Sequence, residues 1–216
     1  MTDDPPIARL KEAVRRLAEY TAGRALNGTS HDDADDVAGT ADTDDAHGFN
    51  PLPLLGALDR CGARVVVIGQ VAGIMHGSAE LTGDLDLLWS GDPDRAAIMA
   101  RGFAAAAGGR ALVGGGAPDG GCVLADHEGK PAACGAAAFG LPKVLFRTEH
   151  ASGDCCTLAL PWGDLPMAAM LARAPAAVAA DGTVVRYLDL PDLIRMRRAV
   201  GRAKDLRRAQ ELERLA

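Results

Sequence analysis

The chain has 216 residues, 48% apolar and 24% charged, values of a globular protein with room for one domain plus appendages. It has no apolar run of about 18 residues, which excludes a membrane-spanning helix, and its opening MTDDPPIARLKEAVRRL lacks the basic-then-apolar order of a secretory signal, so a cytoplasmic location is expected. Five cysteines (Cys61, Cys122, Cys134, Cys155 and Cys156) form an odd set without C-x-x-C spacing, which argues against a disulfide framework or a zinc site.

Ile7, Leu10, Val14, Leu17 and Ala18 recur at spacings of three and four, so residues 6–24 read as an amphipathic helix, and residues 1–26 as an N-terminal appendage. Residues 27–50 hold seven Asp, no Lys or Arg and almost no large apolar side chain, a composition that predicts a disordered acidic linker. Without those seven charges, the net −6 of the chain becomes +1. The folded domain is expected from residue 51 to the end. Leu52–Cys61 suits a short helix, and Arg64–Ile68 is a β-branched run ended by Gly69. A helix follows over Val71–His76, a second strand over Asp84–Trp89, and a helix over Asp94–Ala107 that stops at Gly108-Gly109. Residues 108–121 read as a Gly-rich loop. Strands are expected at Cys122–Ala125, Lys143–Thr148, Cys155–Leu160 and Val184–Leu188, and a helix over Met167–Ala180 in spite of Pro175. From about residue 189 a basic helix pair, broken near Gly201, ends the chain. Arg186–Ala216 carries nine Lys or Arg against five Asp or Glu, so the acidic total does not exclude a polyanionic ligand there. Alternating strands and helices predict an α/β or α+β fold with a small mixed sheet flanked by helices.

The chemistry concentrates in VVVIGQVAGIMHGSAELTGDLDLLW, from Val65 to Trp89. A strand that ends in Gly69-Gln70 and turns into a helix presents helix N-terminal N–H groups, a seat for phosphate. Asp84 and Asp86, two apart on a strand, project from one face. Two adjacent carboxylates repel unless a cation or proton lies between them. Mg²⁺ accepts carboxylate and phosphate oxygens together. A carboxylate pair beside a phosphate seat is the minimal apparatus of metal-assisted nucleotidyl transfer. His76 closes the short helix and reads as structural, and Trp162 beside Pro161 reads as packing. Cys155 and Cys156 read as reduced, largely buried thiols.

Gly69, Ala72, His76-Gly77, Thr82 and Asp84-Leu85-Asp86 together resemble the first motif of the nucleotidyltransferase superfamily, whose minimal fold is that of DNA polymerase β. The nearer resemblance is to the small bacterial nucleotidyltransferases of toxin–antitoxin and abortive-infection systems. The stretch DLPDLIRMRRAVGRAKDLRRAQELERL, from Asp189 to Leu215, is similar to the C-terminal helices of that family, with Lys204 as the matching basic residue. The resemblance implies Mg²⁺ on Asp84 and Asp86, and an NTP seated by Gly69, Gln70, Ser78, Thr82 and Lys204. It also implies a hydroxyl acceptor such as an RNA 3′ end, and a cognate antitoxin as partner. Two positions depart from the family pattern. Gln70 stands where a small residue is usual. The third carboxylate, the usual general base or shared metal ligand, falls by spacing near Cys156, which cannot serve, and leaves Asp154 and Glu149 as neighbours in sequence, with Asp154 the candidate ligand. Those departures keep a second expectation open: a degenerate fold of the same kind that binds nucleotide or a partner without turnover. An aminoglycoside-modifying enzyme would need an acidic pocket for its cationic acceptor, which the basic C-terminal region opposes.

Overall fold

A computed structural model describes residues 1–30, 39–106, 123–125 and 135–215. The fold is mixed α/β. A five-stranded sheet has the order β1 (Val66–Val67), β2 (Leu85–Trp89), β5 (Ser152–Thr157), β4 (Lys143–Arg147), β3 (Val123–Ala125). β2 is antiparallel to β1 and parallel to β5, and the β3–β4–β5 half is antiparallel. A β-ribbon of β6 (Ala176–Val178) and β7 (Val184–Arg186) meets the free edge of β1 through a parallel bridge between Val67 and Tyr187.

Helices cover the sheet. α1 (Pro5–Thr21) buries Ile7, Leu10, Ala13 and Leu17 along one stripe, as its spacing predicts, and packs against α3 (Gly69–His76). The backbone N–H of Asp4 donates to Val178 O, and Asp4 Oδ2 accepts from the Val178 N–H, which fixes the start of α1 to the β-ribbon. The N-terminal helix is thus part of the domain core rather than an appendage. α2 (Leu52–Arg60) meets α4 (Ala96–Ala106) at Gly102, where an added Cβ would lie 2.7 Å from Leu58 Cδ2. The chain has few aromatics, but they are gathered: Phe103 packs 5.1 Å from both Phe139 and Phe146, with Trp89 edge-on to Phe139. No helix among the described residues is long and apolar enough to cross a membrane.

Three further expectations change. The helix over Met167–Ala180 ends at Arg173 (α5, Met167–Arg173), because Pro175 drives Ala174 to the extended ψ of 124°, and Ala176–Val178 then pairs as β6. The strand expected at Cys155–Leu160 lies earlier, over Ser152–Thr157. The linker expected over 27–50 is packed where it is described: Thr40, Thr43, Asp45 and Ala46 are buried, and Asp45 pairs with Arg147 at 2.6 Å. Polar capture replaces apolar burial here. Arg24 donates to Ala41 O and Thr43 O, and Asp44 accepts from the N–H groups of Asn27 and Gly28. Residues 31–38 and the Gly-rich stretch 108–121 lie outside the described residues. The Thr40 hydroxyl bonds Thr82 Oγ1 at 2.7 Å and accepts the Gly83 N–H at 3.0 Å, on the loop that leads into Asp84. Thr40→Val removes both bonds and takes the acceptor from the buried Gly83 N–H, and is expected to cost about 1–3 kcal/mol, read as a lower urea midpoint with an unchanged slope.

The last two helices are α6 (Leu190–Val200) and α7 (Ala203–Glu213), split at Gly201, which takes the left-handed φ of 73°.

Candidate active site

Each carboxylate of the Asp84-Leu85-Asp86 stretch sits over a glycine of a neighbouring element. Gly69 opens α3 with φ +62°, and a Cβ there would fall 1.8 Å from Asp86 Oδ2. Gly153 lies in β5, and a Cβ there would meet Leu85 O at 2.1 Å and Asp84 Oδ1 at 2.8 Å. Only glycine lets these backbones approach the two carboxylates so closely. Leu85 and Leu87, between and after them, are fully buried on the opposite face.

Strand register settles the neighbour of Asp86. In the parallel β2–β5 pair Asp86 is opposite Asp154, and Leu88 is opposite Cys156. The side chains of Asp86 and Asp154 therefore share one face on strands about 4.8 Å apart. Asp154, the candidate third ligand, is thus the residue beside Asp86, and Cys156, where spacing places the third acid, stands one same-face step further along β5. Cys156 lies on the same face, and burial, then the Asp154 and Asp86 charges, push its thiol well up. Burial does the same to Cys155. Without a metal both are neutral thiols at ordinary pH, and so poor nucleophiles. Glu149 is exposed, beside His150, and takes no part.

These residues line a cleft of 530 Å³ bounded by the β2–β5 face, the N-terminus of α3, α6, α7 and the Gly39–Thr40 segment. Of the residues expected at the site, Gly69, Gln70, Thr82, Asp84, Asp86, Asp154 and Lys204 all line it. Ser78 does not. Its hydroxyl accepts from Gln70 Nε2 at 3.0 Å and donates to Glu211 Oε1 at 3.0 Å. Gln70 is buried, and its amide is committed inside the protein: Nε2 also donates to Glu80 O at 2.9 Å, and Oε1 accepts from Arg197 Nη2 at 2.8 Å. The Gln70 side chain thus braces the α3–loop junction, and with both amide protons spent it has none to offer a phosphate. His76 bonds Leu188 O at 2.8 Å and packs on Tyr187, a structural role as expected. Trp162 Nε1 donates to Thr157 O at 2.8 Å, and Trp162 forms part of the cleft wall.

Three arginines in the cleft wall were not picked out from the sequence: Arg197, Arg202 and Arg208. Arg197 is 4% exposed and donates from Nη2 to Gly69 O at 2.9 Å, tying α6 to the turn beneath Asp86. Burial, followed by the charge of Arg208, brings its pKa down to about 10, so it stays charged at neutral pH. Arg202 holds Asp205 at 2.6 Å, and Arg208 grips Glu80. The signal that could have found Arg197 is its spacing of four from Leu193 on the apolar stripe of α6.

Burial alone would raise the Glu80 carboxyl, but Arg208 and Arg207 outweigh it and hold it below its ordinary 4.5. A depressed carboxyl stabilises the fold fully above its unfolded value and loses that contribution as pH falls through its folded value. The docking of α7 onto the 78–83 loop is therefore expected to weaken below about pH 4.5, and Glu80→Gln is expected to remove that part of the pH dependence. Urea midpoints of both proteins between pH 3 and 7 would check this; parallel curves would count against it.

The cleft residues fit a hard divalent cation. Mg²⁺ is usually held by one or two carboxylates plus substrate phosphate oxygens, and Asp84 with Asp86 supplies such a pair. Asp154 Oδ1, buried and without a hydrogen bond, is a further acceptor in the same wall. No group of three or more His, Cys, Asp or Glu side chains among the described residues is gathered to hold a metal by protein ligands alone. Comparison with models of known families, with curated proteins and with solved structures gives no match.

Proposed function

We propose that the protein is a Mg²⁺-dependent nucleotidyltransferase, moving a nucleoside monophosphate from an NTP to a hydroxyl acceptor. The observation that carries this reading is the seating of Asp86 directly over Gly69 at the α3 N-terminus, with Asp154 beside it in register. A carboxylate face and a helix N-terminus that open into one cleft are what a metal-bound triphosphate requires. Held by Asp84 and Asp86, Mg²⁺ would supply positive charge to the phosphates and orient the α-phosphorus for in-line attack. The first N–H groups of α3 would receive phosphate oxygens, with the Gln70 and Arg197 side chains bracing that turn. Lys204 and Arg202 line the opposite wall, where a polyphosphate would meet cationic charge. Asp154 Oδ1 would accept the proton of the incoming hydroxyl, and pyrophosphate would leave.

RNA is the acceptor class that the basic C-terminal helices favour. A cognate antitoxin and a cytoplasmic location belong to the same reading, through the resemblance of the motif stretch. A non-catalytic nucleotide-binding module is the second reading, favoured by the ion pair that occupies Asp154 (Lys143 Nζ to Oδ2, 2.6 Å). Incubation of the protein with each α-³²P-labelled NTP, Mg²⁺ and total RNA separates them. Label entering RNA supports the enzyme. Nucleotide-dependent thermal stabilisation without label supports the binding module, and neither signal would sink both.

A further inference from the structure

Lys143 begins β4 and lines the cleft, its side chain 28% exposed and its ammonium 2.6 Å from Asp154 Oδ2. In the antiparallel β4–β5 register it stands opposite Cys156, one inward-facing step from Asp154. Burial works against its charge, yet Asp154, with a smaller contribution from Asp86, holds the ammonium above its ordinary value. Asp154 Oδ1 is left buried with no donor. The sheet side of the cleft therefore carries Asp84, Asp86 and Asp154, with the Lys143 ammonium placed against the last of them.

Enzymes that use two ions for phosphoryl chemistry hold them about 3.5–4 Å apart, one on the leaving side and one at the attacking oxygen. We infer that the Lys143 ammonium takes the place of the second ion, so that the cleft binds a single divalent cation on Asp84 and Asp86. The inference rests on the metal-dependent reading above. An ammonium has three donors; Asp154 Oδ2 takes one, and the others can reach an oxygen that enters the cleft. Lys143 then supplies fixed positive charge where the acceptor hydroxyl develops negative charge, and it fixes the orientation of the Asp154 carboxylate, whose Oδ1 accepts no hydrogen bond. It is a positioning residue, and it explains why Asp154 joins no three-carboxylate metal group.

Mn²⁺ alone is the probe, counted per chain by equilibrium dialysis with electron paramagnetic resonance on the full-length protein. The wild type is expected to bind one ion, Lys143→Met two, Lys143→Arg one, and Lys143→Met/Asp154→Asn one, because the second ion needs Asp154. Two ions on the wild type, or one on Lys143→Met, would overturn the lysine's role. No ion on the wild type would overturn the metal reading of the cleft itself, a separate failure. If Lys143→Met loses its thermal transition, Lys143→Gln carries the same expectation.

Discussion

Asp86→Asn is expected to lower label transfer by about 10³-fold while moving the melting temperature by no more than about 2 °C. The amide matches the carboxylate in shape, so it still fits the space above Gly69, where no side-chain atom other than glycine hydrogen could stand. What changes is charge. The substitution removes one of the two carboxylates proposed to hold Mg²⁺, and a divalent ion loses most of its attraction to the cleft. It also relieves repulsion between Asp86 and Asp154 on adjacent strands, which is why stability should not fall with activity. Transfer retained within tenfold of wild type would remove Asp86 from the machinery, and with it the proposed function. Loss of transfer together with a large drop in melting temperature would mean that the carboxylate serves the fold.

Gly69→Ala is expected to cost about 3 kcal/mol and to lower the melting temperature by about 6–12 °C. Two penalties combine. The residue holds φ +62°, which costs a non-glycine residue about 1–2 kcal/mol. Its new Cβ would also stand 1.8 Å from Asp86 Oδ2 and 2.6 Å from Asp86 Cγ. The helix start cannot retreat, because Arg197 holds the Gly69 carbonyl from below and the Ile68 N–H is bonded to Asp86 O at 2.9 Å. The carboxylate must turn out of place, and metal binding is expected to go with it. A double-mutant cycle separates the terms. In the Asp86→Ala background the approaches to Oδ2 and Cγ vanish, leaving the backbone term and a 2.9 Å approach to the Cβ of residue 86. Gly69→Ala should then cost markedly less, and equal cost in both backgrounds would show that Asp86 does not occupy the space described.

How much of this was legible in the sequence differs from element to element. The α1 stripe, the Leu85–Trp89 strand and the α6–α7 break at Gly201 follow from local rules: period 3.6, period 2, and a left-handed glycine C-cap. So does the pairing of Asp84 and Asp86 on one face, since alternation along a strand needs no partner to define it. The described residues among 27–50 misled because polar capture, not apolar burial, holds them. Thr40, Asp44 and Asp45 satisfy groups as distant as Gly83 and Arg147, and composition counts only the apolar area a segment can bury. Gln70 looked like a phosphate donor because nothing local reveals that Ser78, Glu80 and Arg197 consume its amide.

The sequence by itself determined the mixed α/β class, the Gly69 turn and the carboxylate pair, because each is written in the chain's own near-neighbour spacing. Only the tertiary structure decided that Asp154 stands beside Asp86, that Lys143 neutralises it, and that Arg197 pins the turn. Those relations depend on which strands pair, in what register and against which helix. A shift of two residues in the register of β5 against β2 leaves its composition unchanged while replacing a thiol with a carboxylate beside Asp86.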